Sequence, residues 1–117
     1  MSEESLADLR ARAGQGDRDA VDELVELAGE RGDVVELRRL SDAGSSDATD
    51  QLIQLAAELG DIGELRRLSD AGNDTATDQL IETAVELEKW DELHRLARLG
   101  NRTAAEELEE LGDLGEE

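Results

Sequence analysis

Catalysis needs a nucleophile, a tuned acid or base, or a metal, held in convergent geometry, and few residues of this sequence could serve. The one histidine, His94, stands in a register that holds Arg10, Arg38 and Arg66 at 28-residue intervals. A position that is otherwise arginine reads as a solvated helix face, not as a general base or metal ligand. Ser41 and Ser69 recur in one register near helix ends and read as packing surface, not as nucleophiles. There is no cysteine, which removes disulfide and thiolate chemistry. Carboxylates are abundant, 32 Asp and Glu in all, and for that reason none is singled out. An acid–base dyad requires two carboxyls whose surroundings push their pKa values apart. Gly14-Gln15-Gly16 is a lone Gly-x-Gly with no third glycine and no strand before it, so it reads as a turn. The sequence therefore predicts no catalytic residue, no cofactor and no metal site.

The same carboxylates say more about partners. Against them stand only 12 Lys and Arg, a formal charge of -20 in 117 residues. Such a surface is repelled by a nucleic-acid duplex or an anionic membrane, so direct binding to either is not expected. Acidity of this degree also accompanies disorder, but disordered acidic chains lack a buried stripe. Leu and Ala recur here at helical spacing. Phe, Tyr and Pro are absent and Trp90 is the only aromatic. The core must then be Leu, Val, Ile and Ala, a composition that suits helices better than sheets. No apolar run approaches a membrane span, and Met1-Ser2-Glu3-Glu4 has neither a basic flank nor a hydrophobic signal core. The expected location is cytoplasmic.

What positions these residues is a repeat. Leu37-Arg38-Arg39-Leu40-Ser41-Asp42-Ala43-Gly44 returns unchanged 28 residues later as Leu65 to Gly72. The next step lands on Leu93 to Gly100, and the preceding one on Leu9 to Gly16. Each closing glycine (Gly16, Gly44, Gly72, Gly100) is followed four residues on by alanine (Ala20, Ala48, Ala76, Ala104) and eight on by leucine (Leu24, Leu52, Leu80, Leu108), one face of a helix. The first helix of a unit, as over 46–59, carries an apolar stripe of Ala48, Leu52, Ile53, Leu55, Ala56 and Leu59. A turn at Gly60-Asp61 interrupts it. Asp61 with Glu64, and Asp33 with Glu36, then form a capping-box-like start to a second helix. The sequence thus predicts about eight short helices in one domain, 1–117. A capping helix occupies 1–16 and is helical over about 2–14. Full repeats follow at 17–44, 45–72 and 73–100, and a closing helix with an acidic tail at 101–117. Arg12, in place of Leu40, marks a solvent-facing end. Hairpins that cannot bury both faces alone must lean on neighbours, which predicts an all-α, right-handed α-solenoid of stacked antiparallel helical hairpins.

The pattern Gly-x3-Ala-x3-Leu after an Ala-Gly helix end, with the turn Gly60-Asp61-Ile62-x-Glu64-Leu65, resembles tetratricopeptide repeats and their Sel-like relatives over nearly the whole chain. The place after Gly-Asp, often aromatic in those families, is held here by Val34, Ile62 and Trp90. The resemblance implies an array of helical hairpins that binds protein or peptide without cofactor or catalysis. It also implies that the first helices line the concave groove.

On those first helices Asp22, Glu26, Asp50, Gln54, Asp78 and Glu82 lie beside Val21, Val25, Thr49, Ile53, Thr77 and Ile81. The six polar residues are the candidate partner-binding site. With acidic edges and a β-branched floor, such a groove favours a basic amphipathic helix or peptide. The bland reading is that Val25, Ile53 and Ile81 are simply core. Arg39, Arg67 and Arg95 form an arginine ladder, with Glu36 and Glu64 three residues before the first two. It reads as helix-surface pairing in preference to an anion-binding strip. The function expected is a non-enzymatic protein-interaction or scaffolding module, monomeric or weakly dimeric. The alternatives are an acidic stoichiometric inhibitor (an immunity protein, antitoxin or nucleic-acid mimic) and a structural or designed consensus array with no partner.

Overall fold

The computed structural model describes residues 5–112. Among them are eight α-helices and no strand: α1 (Leu6–Gly14), α2 (Arg18–Arg31), α3 (Val34–Asp42), α4 (Ser46–Leu59), α5 (Ile62–Asp70), α6 (Asp74–Glu86), α7 (Trp90–Arg98) and α8 (Arg102–Glu110). The expected start of the opening helix before residue 5, and the acidic tail after Gly112, lie outside the described residues.

Local chemistry explains most of the boundaries. Helices ending a unit stop where Gly16, Gly44, Gly72 and Gly100 take positive φ, a conformation that costs glycine nothing. The residue after each of these is an N-cap. Asp17, Ser45, Asn73 and Asn101 accept from the backbone N–H of Ala20, Ala48, Ala76 and Ala104 respectively. At the second helices, Asp33 and Asp61 accept from the N–H of Glu36 and Glu64. The N–H groups of Asp33 and Asp61 themselves donate to the Ala28 and Ala56 carbonyls of the preceding helices. Glu36 and Glu64 turn away from the cap and are buried.

Two registers build the core. Leu9, Leu37, Leu65 and Leu93 of the second helices, and Leu24, Leu52, Leu80 and Leu108 of the first helices, are the largest fully buried side chains. Ala20, Ala48, Ala76 and Ala104 are completely covered, so the backbones approach closely there. Burying each leucine contributes about 1.5 to 3 kcal/mol. The stripe proposed for first helices stops one turn early. Leu59 is 62% exposed, because it sits at the last residue of α4, where the chain turns away.

Two compact units divide within α4, one up to Leu55 and one from Ala56 on. In the first, α2 packs on both α1 and α3. In the second, α6 packs on α5, α7 and α8, and α7 on α8. The most extensive pairings run from a second helix to the first helix that follows it: α1 with α2, α5 with α6, and α7 with α8. None of the helices is long and apolar enough to cross a membrane.

Candidate functional site

All six predicted partner-binding residues are exposed on first helices: Asp22 and Glu26 on α2, Asp50 and Gln54 on α4, Asp78 and Glu82 on α6. Their helical spacing of four places each pair on one face. Val25, Ile53 and Ile81 are at most 5% exposed, so of the two readings of these residues the core one holds. Thr49 and Thr77 are half-buried and form hydroxyl pairs with Ser41 and Ser69 across the interface between consecutive helices. In each case the threonine also donates to a backbone carbonyl one turn back, Ser45 and Asn73 respectively. Serine and threonine change together between repeats. Twenty-eight residues after Ser69 and Thr77 stand Ala97 and Ala105, and 28 before Ser41 and Thr49 stand Ala13 and Val21. A hydroxyl left without its mate in such a contact costs more than two methyls do.

In the second unit, Asp78 and Glu82 line an open groove of ≈ 450 Å³ between α6 and α8. Sequence reasoning missed two further acids there, Glu86 on α6 and Glu107 on α8. Glu86 extends the spacing of Asp78 and Glu82 by one more turn and was legible on that ground. Glu107 comes from another repeat and depends on how α8 packs. Half-buried Val85 supplies apolar surface in this groove, and Ile81 lies at its base. The first unit has a larger depression, ≈ 590 Å³, among the turns of α1–α2 and α3–α4. Asp22 and Asp47 line it together with Arg18 and Arg39, so its charge is mixed.

The arginine ladder is engaged from within, and the glutamates it meets are buried. Glu36, Glu64 and Glu92 are 9%, 5% and 4% exposed. Arg39, Arg67 and Arg95 each donate to the glutamate three residues earlier in the same helix. A second arginine arrives from the preceding second helix. Arg10 of α1 donates to Glu36 at 3.3 Å, and Arg66 of α5 donates to Glu92 at 2.7 Å. Glu92 thus holds one guanidinium on each carboxylate oxygen, Arg66 on Oε1 and Arg95 on Oε2. Burial opposes ionisation of Glu92, and the hydrogen bonds from Arg95 and Arg66 outweigh it, leaving its carboxyl below the ordinary range. The Arg39 hydrogen bond does the same for Glu36 against its burial. Arg95 is correspondingly raised by its bond to Glu92. In the first helix, Asp8 and Ala11 occupy the glutamate and arginine places, and no such clamp is built there.

His94 is half-buried on α7, less solvated than its arginine register suggested. Among the described residues no cluster of three or more His, Asp or Glu is arranged to hold a metal ion. No family model, curated protein or solved structure matches the chain.

Proposed function

We propose that this chain is a non-enzymatic protein-interaction module, a right-handed α-solenoid of tetratricopeptide-like character that binds a basic amphipathic helix or peptide through its first helices. The observation that carries the reading is the groove between α6 and α8, where Asp78, Glu82, Glu86 and Glu107 surround Ile81 and Val85. Four carboxylates beside apolar surface complement a segment with cationic side chains on one edge and aliphatic ones on another. A charge of -20 adds long-range attraction, which speeds encounter with such a partner and fades with salt. The solenoid arrangement is supported by reuse of the same leucine and alanine registers in every repeat.

The array reading with free apolar ends fits less well. Glu109 stands on α8 in the register where Val25, Ile53 and Ile81 are buried, and Arg12 stands where Leu40, Leu68 and Leu96 are buried. Charged residues at both places work against end-to-end association.

The test is charge reversal. Asp78→Lys with Glu82→Lys should weaken binding of a synthetic leucine–arginine amphipathic helix by about tenfold or more at low salt, measured by calorimetry. Glu110→Lys, exposed on α8 outside the groove, should change it far less. Equal losses from both variants would remove the groove assignment.

A further inference from the structure

The turn between α6 and α7 breaks the local rules that its counterparts obey. Where earlier repeats have Gly32-Asp33-Val34 and Gly60-Asp61-Ile62, this one has Glu88-Lys89-Trp90. Glu88 takes φ 58 and is the only non-glycine residue with positive φ among those described. Lys89 makes no side-chain cap to α7, whereas Asp33 and Asp61 both cap their helices. Both departures destabilise the turn, and local violations of this kind concentrate where a site is maintained for function. What they introduce is the chain's only aromatic residue and its only lysine.

Apolar surface gathers at the same end of these helices. Leu87, the C-cap of α6, is 45% exposed, and Leu59, the last residue of α4, is 62% exposed. Leu87 reaches Gly60, the residue after Leu59, where an added Cβ would lie 3.1 Å from Leu87 Cδ1. Trp90 opens α7 three residues after Leu87 and is half-buried. Exposed Glu58, Glu86, Glu88 and Asp91 flank this patch, and Lys89 is the only cation in the turn. A tryptophan and two exposed leucines at neighbouring turns, among exposed carboxylates, match the composition of a binding hot spot for a cationic segment.

We infer that Leu59, Leu87 and Trp90 form the apolar anchor for the basic amphipathic partner, with an arginine of that partner stacked on the Trp90 indole and its aliphatic side chains on the two leucines. The inference rests on the interaction reading above and adds where the partner is held and which cation is preferred. Glu86 connects the two sites, since it ends α6 within the acidic groove and Leu87 follows it.

Trp90 is its own probe, because no other aromatic contributes to the emission. The full chain is titrated with a synthetic leucine–arginine amphipathic helix and with its leucine–lysine counterpart, following binding heat and Trp90 fluorescence together. The expected result is an emission change that saturates with the heat, and tighter binding of the arginine peptide, because guanidinium stacks where ammonium does not. Leu59→Gln with Leu87→Gln, and separately Trp90→Ile, which restores the residue type of Ile62, should each weaken binding about tenfold. Circular dichroism should show unchanged helicity in these variants. Binding heat with Trp90 emission unmoved and the leucine variants unaffected would overturn the anchor and leave the groove standing. An absence of binding heat at low salt would overturn both.

Discussion

Glu92 shows what a single residue contributes here, because it is buried and ionised at once. Its carboxylate is acceptable inside the molecule only because Arg66 and Arg95 each occupy one oxygen. Both arginines are partly solvated, so Glu92→Gln should cost about 1 to 3 kcal/mol at neutral pH, not the larger sum of a fully buried pair. The pH dependence follows from the direction of the shift. A carboxyl held below its ordinary 4.5 stabilises the fold fully above that value and loses its contribution as pH falls through its folded pKa. The stability gap between wild type and Glu92→Gln should therefore be widest at neutral pH and shrink as pH falls below 4.5, read from urea titrations. The hydroxyl pairs make a second prediction. Ser69→Ala should cost about 1 kcal/mol, and Ser69→Ala with Thr77→Ala should cost clearly less than the sum of the two single changes. A strictly additive cycle would show that the pair contributes nothing as a pair. The sequence disclosed the Glu–Arg spacing of three but not the burial. Burial depends on the preceding second helix, and the link from Arg10 to Glu36 or Arg66 to Glu92 spans 26 residues.

Helices and turns were the most legible level, because every boundary but that between α6 and α7 is written in residues with local physical meaning. Glycine supplies positive φ at the repeat ends, and Asp, Ser or Asn follows at once as an N-cap. What the pattern overstated was the apolar stripe. Leu59 has the correct helical spacing, but the chain turns away beneath it, so periodicity alone could not separate a core position from a surface one. The candidate residues on first helices were legible as exposed positions, but only Asp78 and Glu82 are gathered into the groove, and that required α8, while Glu26, Asp50 and Gln54 line neither depression. The irregular turn yields the sharpest prediction at this scale. Glu88→Gly with Lys89→Asp restores the turn of the earlier repeats and should stabilise the chain by about 1 to 3 kcal/mol, seen as a higher urea midpoint. One added unit of net negative charge offsets part of that gain. A destabilised double variant would show that Glu88 and Lys89 are held by interactions that the turn geometry does not reveal.

Across the molecule the governing quantity is charge, because 32 acidic residues share one small fold with 12 basic ones. Their repulsion opposes folding and is screened over about 30 Å at about 0.01 M salt but only about 3 Å at about 1 M. The melting temperature should accordingly rise with sodium chloride, while binding of a cationic partner weakens over the same range. Opposite signs for stability and affinity separate this account from one in which salt acts through hydrophobic burial alone, where both would strengthen. The most direct measurement is an amide chemical-shift titration of the chain with the leucine–arginine helix at low and high salt. The account predicts shifts concentrated at Asp78, Glu82, Glu86 and Glu107 that diminish as salt is raised. Shifts spread evenly over the acidic surface, or shifts centred on α1 to α3 with α6 and α8 silent, would contradict it.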